Sequence, residues 1–387
     1  MLKKIIKPLL PVLLIGIVIG CGKKENNEVN IYMWGGSKEI NTFMDDIVIP
    51  AISKKENITL KRVPIVDIKD VVNKLIIEKQ AGKKNGTIDV LWVNGENFKA
   101  LKDAEVLEKN ILAKIDNKNI IKESTTVKDF GETIDGLEVP FGEAQFNFIY
   151  NTAKGEIPFS NWMTLSQYVK NNPEKFTYPN TSNFTGSAFV RNIAIDILGY
   201  DEISKMTTDE LKANLNIVWN FLNEIEPYLW RKGETYPESE GKLDLLYSAG
   251  EVDITMGYTI NKVNSKIESG DYPVTSKSFL LDKGTLFNNH YLAIPENSAN
   301  KNAALKVINE LVSPEIQLLK QDPKNWGDFT ILDMKKLPTE AVQKFILLNK
   351  SDKIPSSEEL AEKRVMELTP EKLEIIDKGW LEYVGKN

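Results

Sequence analysis

The sequence predicts an α/β protein built as two lobes joined by two crossing strands. Three observations carry that expectation. The chain has 387 residues, more than one hydrophobic core accommodates at the usual ~100–200 residues per domain. Short β-rich runs alternate with helical repeats along its first third, which is the pattern of a mostly parallel sheet flanked by helices. Two extended segments far apart in sequence, residues 138–151 and 289–295, have the form of chain crossing from one unit to another.

The chain opens on a leader. Lys3, Lys4 and Lys7 form a charged start, residues 9–19 an apolar run, and Gly20 a small residue before Cys21, the single cysteine. That run is too short to cross ~30 Å of hydrocarbon as a helix rising ~1.5 Å per residue. Val18-Ile19-Gly20-Cys21 resembles the lipobox of a bacterial lipoprotein signal. The resemblance implies removal of residues 1–20, acylation of the Cys21 thiol and a mature chain held outside the cytoplasmic membrane. Residues 21–28, polar and aperiodic, read as the tether.

Residues 29–34 are a predicted strand, Gly35-Gly36-Ser37 a turn, and Ile40, Phe43, Met44 and Ile47 the apolar stripe of a helix capped by Ser37. A second strand, 58–66, leads into a helix that Asp67 opens and Val71, Leu75 and Ile76 carry to Gly82. A third, 87–93, ends in Asn94-Gly95-Glu96-Asn97 before a helical stretch to Leu107. After the first crossing, Trp162 and Leu165 start a helix and residues 176–178 read as a short strand. Residues 181–187 form a polar loop into a helix over 188–198. Leu211, Leu215, Val218, Leu222 and Ile225 define one long amphipathic helix from about 208 to 228. Residues 252–256 are strand-like, 303–311 and 314–320 are helices, and the tail 356–383 is helical with mixed charge, Pro355 and Pro370 marking boundaries.

Composition narrows the chemistry. A formal charge of −6, more negative once the leader's lysines leave, argues against nucleic acid as a partner. One cysteine allows neither an intrachain disulfide nor a thiolate metal cluster, and one histidine, His290, rules out multi-histidine metal sites. A Ser-His-Asp triad is limited to the surroundings of His290, which reads as packing at the second crossing. The expectation is therefore a protein without cofactor, metal or catalysis. A secreted hydrolase using paired carboxylates is the enzyme alternative.

From Val29 onward the chain resembles the extracellular solute-binding lipoproteins of bacterial ABC importers. The resemblance rests on the early strand into Trp34-Gly35-Gly36-Ser37, on Leu91-Trp92-Val93-Asn94-Gly95-Glu96-Asn97-Phe98, and on Pro140-Phe141-Gly142-Glu143-Ala144-Gln145. Leu229-Trp230-Arg231-Lys232-Gly233-Glu234-Thr235-Tyr236-Pro237 and the later Ser313-Pro314-Glu315-Ile316-Gln317 extend it. It implies a two-lobed periplasmic-binding-protein (Venus flytrap) fold in a subfamily near the thiamine, polyamine and ferric-iron binders. It also implies a monomer that delivers a small-molecule solute to an ABC permease and its ATPase. In that architecture residues 29–143 and 289–325 make the first lobe, and 144–288 with 326–387 the second.

Ligands of parallel sheets sit beyond the carboxyl ends of the strands. Trp34, Gly35, Gly36 and Ser37 are thus one candidate binding group, and Asn94 with Glu96 a second. Glu143 and Gln145 lie on the first crossing. Thr185 and Ser187 mirror the first-lobe loop, and Trp230, Tyr236 and Tyr258 add aromatic faces, which attract cations by ~0.5–2 kcal/mol. Core packing, turn formation and solvation compete with binding at each. Glu96, Glu143 and Glu240 beside Trp34, Trp230 and Tyr258 favour an organic cation, thiamine-like, while the same mixture suits a sugar. The adjacent tyrosines that iron-binding relatives supply are absent, which demotes iron.

Overall fold

The computed structural model describes residues 27–385 except 66, 67, 94 and 349. The leader, Cys21 and nearly all of the tether lie outside the described residues, as does the helix-opening Asp67. In chain order the strands are β1 (Glu28–Trp34), β2 (Thr59–Ile65), β3 (Val90–Val93), the two-residue strands β4 (Lys128–Asp129) and β5 (Glu132–Thr133), and β6 (Glu138–Gln145). There follow β7 (Asn147–Asn151), β8 (Ile254–Gly257), β9 (Ser276–Phe279), β10 (Thr285–Ala293) and β11 (Arg364–Met366).

The main sheet has the order β11-β10-β3-β1-β2, with β6 also paired to β10. β1 runs parallel to both β2 and β3, with Ile31 opposite Arg62 on one side and Val90 on the other. Its alternation explains the placement: Val29, Ile31 and Met33 enter one core cluster with Phe43, Val48 and Val307, while Tyr32 packs on the opposite face against the cluster of Val71, Leu75, Leu91 and Phe98. Such two-faced burial is what helices on both sides of a parallel sheet require. The parallel pairs belong to this first lobe and to β10 with β11. The second lobe's own sheet, β8-β7-β9, is antiparallel throughout. It supports the core of Phe148, Leu165, Phe189, Leu222, Leu243 and Trp380.

Both crossings are present, and they lie side by side. β6 and β10 pair antiparallel from Glu138 opposite Ala293 to Gln145 opposite Phe287. Residues 291–293 of β10 continue onto β3, and residues 285–287 onto β11. One hydrogen-bonded ladder therefore runs through both lobes.

Local differences from the sequence reading have local causes. Residues 176–178 are buried extended chain rather than a strand, with the Phe176 carbonyl accepting from the Trp230 amide at 2.8 Å. The helix Phe184–Leu198 starts earlier than expected because Asn183 caps it, its side chain accepting from the Thr185 amide. The long helix divides into Thr208–Asn214 and Asn216–Ile225 and ends where Pro227 tightens a 3₁₀ turn. β11 interrupts the tail and is too short to carry a periodic pattern. Trp326, Ile331, Leu332 and Phe345 pack into the first-lobe core, and Ile354 is back in the second. That stretch was assigned to the second lobe from sequence; lacking a repeat of its own, it takes its place from tertiary packing.

Gly142 marks the middle of the first crossing. A Cβ there would overlap Asp328 Oδ2 and His290 Nε2. Those two groups sit 3.1 Å apart, Lys320 Nζ approaches Asp328 at 2.5 Å, and the imidazole stacks on Trp326 at 5.7 Å. Burial raises the Asp328 carboxyl, but His290 and Lys320 outweigh it and hold the group below the usual carboxylate range. Gly142→Ala is expected to push this cluster apart and destabilise the fold by ~1–3 kcal/mol. Urea denaturation checks it, as a lower midpoint with an unchanged slope.

Candidate binding site between the lobes

β1 delivers Trp34 to the rim of the first lobe, 40% exposed and without an aromatic neighbour among the described residues. Its indole lies over Gly36, where a Cβ would overlap the ring. Gly35 donates its amide to the Ile65 carbonyl at 3.0 Å, and its own carbonyl accepts from Asn41 Nδ2 at 2.9 Å. Ser37 caps the helix Lys38–Thr42, accepting from the Ile40 amide at 3.3 Å and donating to Glu39 Oε2 at 2.8 Å. Glu39 in turn reaches across to Lys266 Nζ at 2.7 Å. Lys266 belongs to Lys262–Glu268, the second-lobe helix that follows β8. Burial raises the Glu39 carboxyl and the bond from Lys266 overcomes it, leaving it below the ordinary range. Ser265 of the same helix donates to the Pro323 carbonyl at 2.5 Å.

Asn94 and the Glu96 side chain lie outside the described residues. Between them Gly95 has a clear role: a Cβ there would overlap the Phe130 ring. Phe130 and Gly131 form the tip of the β4–β5 hairpin, both with positive φ, 44° and 85°, the backbone that a tight two-residue turn needs. The hairpin sets Asp129 toward the second lobe. Burial first, and then the charge of Glu367 from that lobe, push its carboxyl well above the usual range.

The second lobe answers with Arg191, fully buried on the helix Phe184–Leu198. Its Nε and Nη2 donate to Glu367 at 3.2 and 3.3 Å, and Nη1 donates to Ser187 Oγ. Ser187 donates to Asp377 at 2.6 Å. Tyr258 donates to Glu367 at 2.5 Å and stacks on Phe184 at 5.0 Å, and Asn288 of β10 donates to the same carboxylate at 3.3 Å. Ser187 and Tyr258 are thus brought together by two residues that sequence reasoning missed. A signal for one existed, since Arg191 is the one basic residue of a mostly apolar helix.

The other candidates lie elsewhere. Thr185 donates to Glu240 at 2.5 Å, and Glu240 and Asp244 both pair with the buried Lys262 at 2.7 Å. Glu143 sits at the hinge between Lys122 at 2.8 Å and Arg364 at 3.3 Å. Gln145 donates to the Lys363 carbonyl at 2.9 Å. Trp230 donates to Glu251 at 3.0 Å beneath the Arg231 guanidinium. Tyr236 packs between Tyr178 and Trp380 in the second-lobe core and donates to Glu226 at 3.0 Å. The structure does not join these last two to the interlobe network.

Residues of both lobes thus meet in a buried network of carboxylates around one guanidinium, while the Trp34 indole stands exposed at the end of β1. Among the described residues no three His, Cys, Asp or Glu side chains are grouped to hold a metal ion. Nor is any described helix long and apolar enough to cross a membrane.

Residues 48–321 match the profile of the bacterial extracellular solute-binding proteins. The chain is also 36% identical over 310 residues to Protein YnjB of Escherichia coli (strain K12), covering 79% of each. The chain belongs to that family. It is a solute-binding protein and not an enzyme. It is 24% identical over 326 residues, 82% of each chain, to the putrescine-binding periplasmic protein SpuD of Pseudomonas aeruginosa. Its two-lobed fold is shared with the spermidine/putrescine ABC transporter substrate-binding protein PotD of Streptococcus pneumoniae. That similarity has a TM-score of 0.65 at 14% identity, over 92% of this chain and 99% of that one.

The network makes a stability prediction for this solute-binding protein. Arg191→Met strips Glu367 of its buried counter-ion and should cost ~3–5 kcal/mol. Adding Glu367→Gln should restore part of the loss, because the stranded charge is then gone. Chemical denaturation of both single variants and the double decides this; losses that simply add would show that the pair is not coupled.

Proposed function

We propose that the protein is a lipid-anchored receptor of an ABC importer that captures a small organic cation between its lobes and presents it to the permease. One observation carries the choice of cation: acids from both lobes outnumber a single guanidinium, since Arg191 pairs with Glu367, Asp377 accepts from the Ser187 beside it, and Asp129 of the first lobe adds its charge to that of Glu367. An excess of negative charge in a water-poor cleft favours a positive guest. The names of SpuD and PotD point the same way, since polyamines are organic cations. Trp34 adds an uncommitted ring at the rim, suited to stacking on a cationic or apolar part of the solute. Hinge motion about β6 and β10 would admit and enclose it.

A thermal-shift screen of polyamines, thiamine, other quaternary or primary amines, and neutral sugars tests the reading. A true solute at a hundred times its dissociation constant should stabilise the fold by ~2.7 kcal/mol. Cations should give the hits; a screen in which only neutral sugars do so overturns the assignment. With a hit in hand, Trp34→Ala and Glu96→Gln, at the ends of β1 and β3, are expected to weaken calorimetric binding without lowering the unfolding temperature of the solute-free protein. Unchanged affinity in both removes them from the site.

The anchor is tested separately. Cys21→Ser abolishes the acylated thiol and should shift the protein from the membrane fraction to the soluble extracytoplasmic fraction, its lobes intact. Retention equal to the unaltered chain would mean that the leader has been misread.

A further inference from the structure

Behind the interlobe face lies a set of acceptors with nothing to accept from. Glu138, the first residue of β6, is fully buried, and neither of its carboxylate oxygens has a hydrogen-bond partner. Asp129 Oδ2 and Asn289 Oδ1, on residues that are also buried, are unpartnered as well. All three residues surround Tyr291: Asn289 Nδ2 donates to its hydroxyl at 3.3 Å, and the charges of Asp129 and Glu138 add to burial in pushing that hydroxyl up. The phenol is no donor to the acids, because its one hydrogen is directed at the carbonyls of Thr125 and Lys128, 3.1 and 3.3 Å away.

The neighbouring charges are committed elsewhere. Lys102, on the helix Gly95–Asp103, donates to Thr133 and pairs with Asp135 at 2.8 Å, and so attracts Glu138 only from a distance. Arg191 is spent on Glu367 and Ser187, and Glu143 is held by Lys122 and Arg364. Glu367, facing the hairpin from the second lobe, adds repulsion. Two carboxylates removed from water with three of their four oxygens unpartnered cost several kcal/mol each. The site demands a positively charged donor or a proton. An ammonium group suits it, with up to three N–H donors for two carboxylates and an amide carbonyl. Access follows from the hairpin: its tip lies against Thr369 of the second lobe, so parting the lobes uncovers Asp129.

We propose that Asp129 and Glu138, with the Asn289 side-chain carbonyl, form the subsite for a primary or secondary ammonium group of the solute, and that this ammonium replaces a proton shared by the two carboxyls. The inference rests on the cation reading of the cleft and deepens it. On binding, the ammonium enters with its charge, one carboxyl gives its proton to solvent, and the net charge of the buried site is unchanged.

The solute-free protein provides the first test. Burial, with the charge of Glu367 acting on Asp129 and that of Asp129 acting on Glu138, holds both carboxyls above their ordinary range, so the folded state keeps a proton that the unfolded state releases above ~4. This contribution to stability is complete below that pH and is lost as pH rises through the elevated folded values. The unfolding temperature of the unaltered full chain, minus that of Glu138→Gln or Asp129→Asn, should therefore fall as pH rises above about 4. A difference independent of pH overturns the shared proton. Methylammonium chloride, compared with sodium chloride at equal ionic strength, should raise the unfolding temperature more at the higher pH, and should not do so in Glu138→Gln. No shift, or the same shift in the variant, overturns the ammonium subsite. The solute screen separates the two levels. A cationic hit bound equally well by both variants leaves the receptor reading standing and removes this subsite. Hits confined to neutral solutes sink the cation reading itself. A cationic hit weakened at least tenfold by either variant, with one proton released per solute in calorimetry across buffers of different ionisation enthalpy, is the supporting result.

Discussion

The antiparallel pairing of β6 with β10 is the constraint on which the rest of the molecule depends. Each strand belongs to both lobes, and each hands its hydrogen bonds on: β10 to β3 at one end and to β11 at the other. Backbone bonds of this kind survive bending better than they survive separation, because an unpaired buried amide costs more than a curved ladder. The register slips once, between His290 and Tyr291. The extra residue is Phe141 of β6, so the bulge bends that strand, while β10 keeps the ordinary alternation of its side chains between two faces. His290 then enters the aromatic packing of Trp92, Phe141 and Trp326, while Tyr291 turns to the acids behind the hairpin.

Charge is distributed around that hinge in two ways. On the His290 side the buried acid is answered: Asp328 lies between His290 and Lys320, and Lys320 also donates to the carbonyls of Phe141 and Phe329 at 2.8 Å. Desolvation still pulls Lys320 below its ordinary value, the expected effect of burying an ammonium even when it is paired. On the Tyr291 side the acids go unanswered. A protein that needed only a stable hinge would have filled both sides alike, since buried unpaired acceptors are rare and costly. Such local exceptions concentrate where a protein does its work.

The lobes and both crossings were legible in the sequence because they are written in period and punctuation. Strand, turn and helix recur three times before residue 110, with glycine in the first and third turns, and Pro140 and Gly142 announce a strand that is not an ordinary one. The site was legible only in part. Ser187 and Tyr258 were read from loops and aromatics, yet what unites them is Glu367, in a tail whose mixed charge resembles any solvated helix. Arg191 broke an apolar pattern and was readable; Glu367 did not and was not. Asp129 and Glu138 were illegible for a different reason. A two-residue strand has no periodicity, and nothing in a linear sequence says that an acid at the start of a crossing is sealed from water.

The two kinds of contact between the lobes differ in strength in the sense that capture requires. Hinge contacts are buried backbone ladders and desolvated ion pairs, which are costly to break singly. At the rim stand the Glu39–Lys266 pair, partly open to water, and the bond from Ser265 to the Pro323 carbonyl. An ion pair of that exposure is worth on the order of 0–1 kcal/mol, and a neutral hydrogen bond about 1 kcal/mol. Rim contacts so weak cannot hold the lobes together by themselves against thermal motion, whereas the ladder keeps the lobes aligned while the rim opens. On the cation reading, the energy that selects the enclosed state comes from the guest, and the unpartnered oxygens of Asp129 and Glu138 are where it would be gained.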